Sequence, residues 1–264
     1  MEDLQLLYIQ SNLVWENPEK NRAHFGEIIL REAPGCDLVV LPETFTTGFP
    51  VNPVTFAETT YGDSMQWMQK MATETGAVVT GSLLLKEGNL YTNSLIWMCP
   101  DGRFERYDKR HVFSMGGEHE KISPGNKQLL VDLNGWKIKP MVCYDLRFPV
   151  WSKNHYHKGN FEYDLSVYVA NWPAARAYPW NNLLVARAIE NQSYVLGVNR
   201  IGKDGPGNEY AGHSKLVDAK GQIVSEAPQG KESAIKSTLS WDALHQFRKK
   251  FDVGRDWDTF DLTY

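Results

Sequence analysis

The sequence predicts a mixed, layered α/β protein. Short apolar segments typical of strands alternate with amphipathic segments typical of helices, which indicates strand–helix–strand crossovers. Other apolar segments are separated only by turn residues such as Pro100-Asp101-Gly102, which indicates hairpins. No Ser-, Gly- or Pro-rich linker divides the 264 residues, so we expect one domain that spans residues 1–264.

The composition argues against several classes of function. Lys and Arg number 28 against 32 Asp and Glu, and no block of like charge is present, so we expect no nucleic-acid partner and no membrane surface as a partner. The three cysteines, Cys36, Cys99 and Cys143, lack metal-site spacing, and the N-terminus lacks the features of a signal peptide. No apolar run reaches the roughly 18 residues of a spanning helix. We therefore expect a reduced, cytoplasmic protein that acts on a small molecule.

The first elements bring a carboxylate to the end of a buried strand. Residues 4–9 read as a strand, and Asn17-Pro18 supplies the N-cap and first turn of a helix that Pro34-Gly35 ends. The unbroken apolar run at residues 38–41 predicts a strand buried on both faces. Glu43 follows that strand directly.

Two further strands end in residues that can carry chemistry. Helices are predicted at 64–73 and 179–192, and strands at 77–85, 91–98, 103–107, 129–132, 136–142, 165–170 and 194–198, with a hairpin at 215–224. Lys109 comes just after the 103–107 strand, and Cys143 just after the 136–142 strand. Glu43, Lys109 and Cys143 are thus a carboxylate, a cation and a thiol, each at a strand end.

These three residue types complement one another in acyl transfer through a thioester. A cysteine attacks as the thiolate and needs a base, which Glu43 can supply. Lys109 and the backbone N–H of Tyr144 can stabilise the oxyanion that forms during attack. Taken singly, Cys143 could instead be a core residue, and Glu43 and Lys109 could be ordinary loop charges.

The motifs around these residues resemble those of the nitrilase (carbon–nitrogen hydrolase) superfamily. Leu-Pro-Glu at 41–43, Tyr-Asp-Lys-Arg-His-Val-Phe at 107–113 and Val-Cys-Tyr-Asp-Leu-Arg-Phe at 142–148 are similar to its three signatures in order and spacing, and the resemblance covers nearly the whole chain. It implies a four-layer α-β-β-α sandwich with Glu43 as general base and acid, Lys109 as oxyanion stabiliser and Cys143 as nucleophile. It also implies no metal or organic cofactor, and assembly as a homodimer or a larger homo-oligomer.

The resemblance adds a second glutamate and suggests a substrate class. Glu118, seven residues before Gly125, matches the family's second glutamate and would orient Lys109. The run from Cys143 to Pro149 resembles the omega-amidase branch, which implies deamidation of dicarboxylic monoamides such as 2-oxoglutaramate or 2-oxosuccinamate. Tyr144 stands where nitrilases usually have tryptophan, which speaks against nitriles. Hydrolysis of N-carbamoyl amino acids or aliphatic amides, a non-catalytic binding protein on the same fold, and a redox-sensing thiol remain as alternatives.

Four residues near the strand ends are candidates for substrate binding. They are Phe113, Tyr144, Arg147 and Trp172, which could form a small pocket that offers a cation to a substrate carboxylate. The alternatives are that Trp172 only packs and that Arg147 pairs with Asp145 or Glu190.

Two other expectations concern reactivity and assembly. A catalytic Cys143 is expected to have a low pKa and to be alkylated faster than Cys36 or Cys99. His111, His119 and His213 are expected to have structural or peripheral roles. The aromatic C-terminal segment from Trp241 to Tyr264 could contribute to a subunit interface or could pack on its own domain.

Overall fold

The computed structural model describes residues 1–49 and 52–262. The helices are α1 (Pro18–Glu32), α2 (Pro53–Phe56), α3 (Asp63–Thr75), α4 (Pro149–Ser152), α5 (Ala177–Asn191) and α6 (Trp241–Lys250). The strands are β1 (Leu4–Gln10), β2 (Leu38–Val40), β3 (Val78–Glu87), β4 (Leu90–Met98), β5 (Phe104–Asp108), β6 (Val131–Leu133), β7 (Trp136–Val142), β8 (Tyr156–His157), β9 (Asn160–Phe161), β10 (Leu165–Ala170), β11 (Tyr194–Asn199), β12 (Ile201–Lys203), β13 (Glu209–Ala211), β14 (Lys215–Val217), β15 (Ile223–Glu226) and β16 (Ser233–Leu239).

Two six-stranded mixed sheets form the centre of the protein. The first has the order β16-β1-β2-β3-β4-β5, and the second has the order β15-β14-β11-β10-β7-β6. Each sheet has three parallel strands with antiparallel strands on either side, β1-β2-β3 in the first and β7-β10-β11 in the second. Parallel strands need helical crossovers and antiparallel strands need only turns, so this arrangement accounts for the mixture of both connections in the sequence.

Alternation along the strands of the first sheet produces two separate apolar layers. Leu6 and Tyr8 belong to the large core that also contains the strands of the second sheet. Their neighbours Leu7 and Ile9 belong to a second cluster, which packs against α1 and α3. Because successive side chains of a strand point to opposite faces, one strand serves both layers. The run at β2, apolar at every position, is explained in the same way.

Helix α5 covers the second sheet. Trp180, Leu184 and Ala188 are all fully buried, and their spacing places them on one helical face toward the sheet. Together with α1 and α3 outside the first sheet, this completes the α-β-β-α layers that the resemblance implied. None of the helices in the described part of the chain is long and apolar enough to cross a membrane.

The predicted helices and strands are present with shifts at their ends, but the sequence interpretation missed β16 and α6 and the shorter elements α2, α4, β8, β9, β12 and β13. Strand β16 lies at the sheet edge and is mostly half-buried, with Ile235 and Leu239 packed against the large core, and it pairs with all seven residues of β1. Helix α6 packs on its own domain, since the Trp241 ring lies 5.2 Å from that of Trp136. The last two residues of the predicted interface segment, Thr263 and Tyr264, lie outside the described residues.

Candidate active site

The candidate site forms where strands of both sheets end. Strands β2 and β5 run in the same direction in the first sheet, so Glu43 and Lys109 emerge at the same edge. Cys143 follows β7 of the second sheet and has a φ of 43°, in the left-handed region that non-glycine residues rarely adopt. This backbone conformation turns the chain sharply out of the strand and into the short 3-10 turn Cys143–Arg147.

Glu43 and Lys109 of the first sheet and Glu118 of the 3-10 turn Glu118–Glu120 form a buried cluster of charges. The Lys109 Nζ donates to Glu43 Oε1 at 2.9 Å and to the Glu118 carboxylate oxygens at 3.1 and 2.9 Å. None of the three residues is more than 3% exposed. Buried charges are tolerated only when they are paired in this way. The structure therefore brings together the predicted Glu43, Lys109 and Glu118, and both oxygens of the Glu118 carboxylate accept from the ammonium.

The charge balance of the cluster determines the state of the thiol. Burial disfavours the charge of Lys109, but Glu118 and Glu43 outweigh burial and raise the pKa of the ammonium. Burial, followed by the charge of Glu43, raises the pKa of Cys143 well above its usual value, and Lys109 only partly opposes this. The expectation of a low thiol pKa is therefore wrong. Two carboxylates share one ammonium, so the free site favours a protonated thiol.

Three donors hold the carboxylate of Glu43. Besides Lys109, the Asn93 side chain donates its Nδ2–H to Glu43 Oε1 at 2.8 Å. The backbone N–H of Asn171 donates to Glu43 Oε2 at 2.7 Å, and the Asn171 side chain donates to the Glu43 carbonyl at 2.6 Å. Each oxygen thus has a fixed donor, and the carboxylate is held in one orientation beside the thiol.

A second buried network fixes the turn that begins at Cys143. Asp145 accepts from the Tyr107 hydroxyl at 2.7 Å, from the Val142 N–H at 3.0 Å and from the His111 N–H at 3.0 Å. Asp145 therefore connects the residue before Cys143 to Tyr107 and His111, which lie on either side of Lys109 in the sequence. His111, expected to be structural, belongs to this network and also stacks on Phe148 at 3.7 Å.

Cys143 lines a cavity of about 300 Å³ together with the buried Glu43 and Lys109, and these three residues are called the floor of the cavity below. This volume suits a small molecule. All four predicted binding residues line the cavity, as do Glu43, Lys109 and several residues that the sequence interpretation did not select. The lining residues are Glu43, Phe49, Lys109, Phe113, Met115, Gly116, Cys143, Tyr144, Arg147, Asn171, Trp172, Pro173, Arg176, Asn208 and Tyr210.

Two arginines form the cationic part of the cavity wall. The Arg147 guanidinium lies 4.7 Å from the centre of the Trp172 ring, and that of Arg176 lies 5.3 Å from the centre of the Phe113 ring. Within residues 1–49 and 52–262, neither guanidinium has a hydrogen bond or an ion pair. Aromatic faces hold a cation in place without neutralising it. The wall therefore offers two cations to the cavity.

The alternative pairing of Arg147 is wrong. Asp145 binds Tyr107 and His111, as described, and Glu190 pairs with Arg187 at 2.9 Å. Asp145 and Arg147 lie two residues apart in the same 3-10 turn, so their side chains point in different directions.

Asn93, Asp145 and Arg176 are the main residues that the sequence interpretation missed. Asn93 belongs to a run of polar residues, 92–94, within the otherwise apolar part of β4, and this interruption is a usable signal. Arg176 has no comparable signal, because only the packing of the turn Ala174–Arg176 brings it to the cavity.

The described residues offer no obvious metal centre. Across residues 1–49 and 52–262, no group of three or more His, Cys, Asp or Glu side chains is arranged to hold a metal ion. The three cysteines are all free thiols, and Cys36 and Cys99 do not contribute to the cavity lining.

Comparison with known proteins places this geometry in context. The model of the family described as carbon-nitrogen hydrolase matches residues 7–249. The omega-amidase YafV of Yersinia enterocolitica is 43% identical over 264 residues, covering 99% of this chain and 100% of that protein. The 2-oxoglutaramate amidase of Bacillus subtilis is 33% identical over 251 residues, covering 94% of this chain and 95% of that protein.

A solved structure is similar over the whole length. The protein XC1258 of Xanthomonas campestris, described as a CN-hydrolase superfamily protein with an arsenic adduct in the active site, is 42% identical. It covers 100% of both chains with a TM-score of 0.97. The layered sandwich is therefore found in a relative of known structure.

Proposed function

Because this chain belongs to the carbon–nitrogen hydrolase family, whose members include amide-hydrolysing enzymes, we propose that it is an omega-amidase. Its proposed substrates are dicarboxylic monoamides such as 2-oxoglutaramate or 2-oxosuccinamate, from which it releases ammonia through a Cys143 thioester. The omega-amidase and 2-oxoglutaramate amidase relatives support this proposal.

One observation carries the proposal. The same cavity combines a floor of Cys143 and the ion-paired Glu43 and Lys109 with a wall that presents Arg147 and Arg176, two cations without a carboxylate partner among the described residues. The floor can break an amide bond, and the wall can bind a carboxylate. A substrate that carries both groups a few bonds apart matches this arrangement.

The proposed acylation begins with proton transfer from the thiol to Glu43. Cys143 Sγ then attacks the amide carbon, and Lys109 with the Tyr144 N–H stabilises the oxyanion. The carbon–nitrogen bond breaks as Glu43 returns the proton to the leaving nitrogen, so that ammonia departs and the acyl group stays on sulfur.

Deacylation reverses these roles with water. Glu43 accepts a proton from water, and the resulting nucleophile attacks the thioester carbon. The carbon–sulfur bond breaks, the carboxylic acid leaves and the proton on Glu43 returns to the thiol. The sum is one amide and one water converted to one acid and one ammonia, so no metal or organic cofactor is required.

The cavity wall supports a carboxylate-bearing substrate over a neutral one. Arg147 is half-buried, where electrostatic attraction is weakened less by water than at the surface. Phe113, Tyr144 and Trp172 supply flat apolar contacts on the sides of the cavity. We propose that Arg147 binds the substrate carboxylate and that these three rings enclose the chain between carboxylate and amide.

An ammonia-release assay tests the function. Wild-type protein is given 2-oxoglutaramate, 2-oxosuccinamate, a neutral aliphatic amide, an N-carbamoyl amino acid and a nitrile, with the Cys143→Ala protein as the control. We expect the two oxo-amides to be hydrolysed with the highest kcat/KM, and the control to be inactive. Preference for the carbamoyl compound or the neutral amide would contradict the proposed substrate class. Full activity of Cys143→Ala would contradict the mechanism.

An acyl adduct provides an independent test of the thioester. Brief exposure to substrate followed by acid quenching should add one acyl mass to the peptide that contains Cys143. The peptides that contain Cys36 and Cys99 serve as internal controls and should be unchanged.

We further propose that the enzyme is a cytoplasmic homodimer. Three free cysteines support a reducing compartment, and the family resemblance supports self-association. Light scattering after size-exclusion chromatography tests the assembly, since a single 30.1 kDa species at all concentrations would contradict it.

A further inference from the structure

Asn93 contacts every charged member of the buried cluster. It lies on β4 and is fully buried. Its Nδ2 is 2.8 Å from Glu43 Oε1 and 3.5 Å from Glu118 Oε1, and its backbone carbonyl accepts the Lys109 N–H at 2.9 Å. The side chain thus reaches both carboxylates, and the backbone holds the residue whose ammonium lies between them.

The surroundings fix the orientation of the Asn93 amide. Both groups near Nδ2 are carboxylates, so the NH₂ must face them, since the opposite orientation would place two acceptors against each other. The Oδ1 atom is buried and has no hydrogen-bond partner among the described residues. A buried polar group without a partner lowers stability, so packing alone does not explain an asparagine here. The asparagine is explained by the hydrogen bonds that Nδ2 donates to the two carboxylates.

A neutral donor is the residue type that this position requires. The cluster holds two carboxylates and one ammonium. A further carboxylate would compete with Glu43 for the same proton, and a further cation would attract Glu43 away from its role as a base. An amide donates to the charged form of Glu43 without adding charge.

We propose that Asn93 is a positioning residue whose side-chain N–H donates to the Glu43 carboxylate and holds it oriented toward Cys143. This inference rests on the proposed function, because it assigns Asn93 a role in the same proton transfers. Asn93 does not line the cavity, so it acts through Glu43 and not on the substrate. The expected signature is a loss of kcat and a shift in pH dependence with little change in KM.

The test compares Asn93→Ala, which removes the donor, with Asn93→Asp, which keeps the shape but replaces the donor by an acceptor. We expect kcat of Asn93→Ala to fall about 10- to 100-fold with KM changed less than about threefold. The acid limb of its kcat/KM profile should move up by about one pH unit, because loss of a hydrogen bond favours protonation of the base. Asn93→Asp should lose more kcat than Asn93→Ala and shift in the same direction.

Asn154 supplies the matched control. It is also a buried asparagine, 1% exposed, and its side chain donates to the carbonyls of Tyr163 and Asn191, outside the cavity. Asn154→Ala should lower the melting temperature without moving the acid limb. If Asn93→Asp does not fold, Asn93→Ala and Asn93→Ser carry the test.

Three outcomes separate the inference from the proposed function. Active wild type with an unshifted acid limb in all folded Asn93 variants overturns the role of Asn93 alone. A fall in kcat that Asn154→Ala reproduces, again without a shift, also overturns it. Absence of ammonia release by wild type from every amide overturns the proposed function and the inference with it.

Discussion

The floor and the wall of the cavity differ in how their cations are paired. At the floor, Lys109 is paired with Glu43 and Glu118, and the three are at most 3% exposed. At the wall, Arg147 and Arg176 rest on aromatic rings without a carboxylate partner among the described residues. Paired groups keep their geometry before substrate arrives, whereas an unpaired cation gains its partner only when an anion binds. The comparison suggests that the floor governs turnover and the wall governs selection.

The largest expected effect is at the floor, where Glu43→Gln should lower kcat about 10⁴-fold. The same change should lower the pKa of Cys143, because the Glu43 charge is one cause of its raised value. A lower pKa gives more thiolate at a given pH, so the midpoint of alkylation by iodoacetamide should move to lower pH. Stopped ammonia-release assays measure kcat, and mass spectrometry of the alkylated protein measures the midpoint of alkylation. Retained turnover in Glu43→Gln would argue against Glu43 as the base, and an alkylation midpoint that does not move to lower pH would contradict the effect of the Glu43 charge on Cys143.

Replacing Lys109 by Met should lower kcat about 10³-fold and also lower stability. The change leaves two buried carboxylates without a counter-ion, which costs about 3–5 kcal/mol in the free energy of unfolding. Urea denaturation measures the loss. The double variant Lys109→Met/Glu118→Gln should regain part of the stability and none of the activity. Recovery of activity in the double variant would contradict Lys109 as the oxyanion stabiliser.

At the wall, Arg147→Met should raise KM for 2-oxoglutaramate about 10- to 100-fold, because a charge-assisted contact worth about 1.5–3 kcal/mol is lost. Hydrolysis of a neutral amide such as butyramide should change little. Arg147→Lys keeps the charge but not the bidentate geometry, so its KM for 2-oxoglutaramate should lie between those of wild type and Arg147→Met. An equal loss of kcat/KM on 2-oxoglutaramate and on the neutral amide would show that Arg147 acts on turnover and not on recognition of the carboxylate, which would contradict the proposed difference between wall and floor.

Arg176→Met should give the smallest effect, a rise in KM of a few-fold, since an exposed cation is screened by water and salt. Raising the salt concentration should reduce the difference between wild type and this variant, whereas the Arg147→Met difference should persist. An effect of Arg176→Met on kcat with unchanged KM would contradict a role in substrate capture.

The sequence predicted the floor better than the wall. Glu43, Lys109 and Cys143 each follow a strand, and Glu118 matches a motif, so strand ends together with the family motifs were sufficient to select these four residues as candidates. Arg147 was identified, but its interaction was not, because sequence proximity favours Asp145 while the turn at Cys143 brings Arg147 to Trp172. Arg176 and Asn93 depend on packing between distant segments, which a single sequence does not reveal.

The same distinction applies to the fold. Strands with apolar runs, such as β2 and β7, were predicted because burial leaves a clear pattern. Strand β16 was missed because the sheet edge demands hydrogen bonding to β1 but little burial. Its formation depends on a partner more than 220 residues away in sequence.

This edge strand has a consequence for biosynthesis. Residues 233–239 complete the first sheet beside the strand at residues 4–10, so that sheet cannot be completed until residue 239 has emerged from the ribosome. Glu43 and Lys109 belong to this sheet and Cys143 to the other, and non-local pairing of this kind is slow to form. The nascent chain therefore contains Glu43, Lys109 and Cys143 well before β16 completes the first sheet, and we expect activity to appear only after residues 233–239 have emerged and paired with β1.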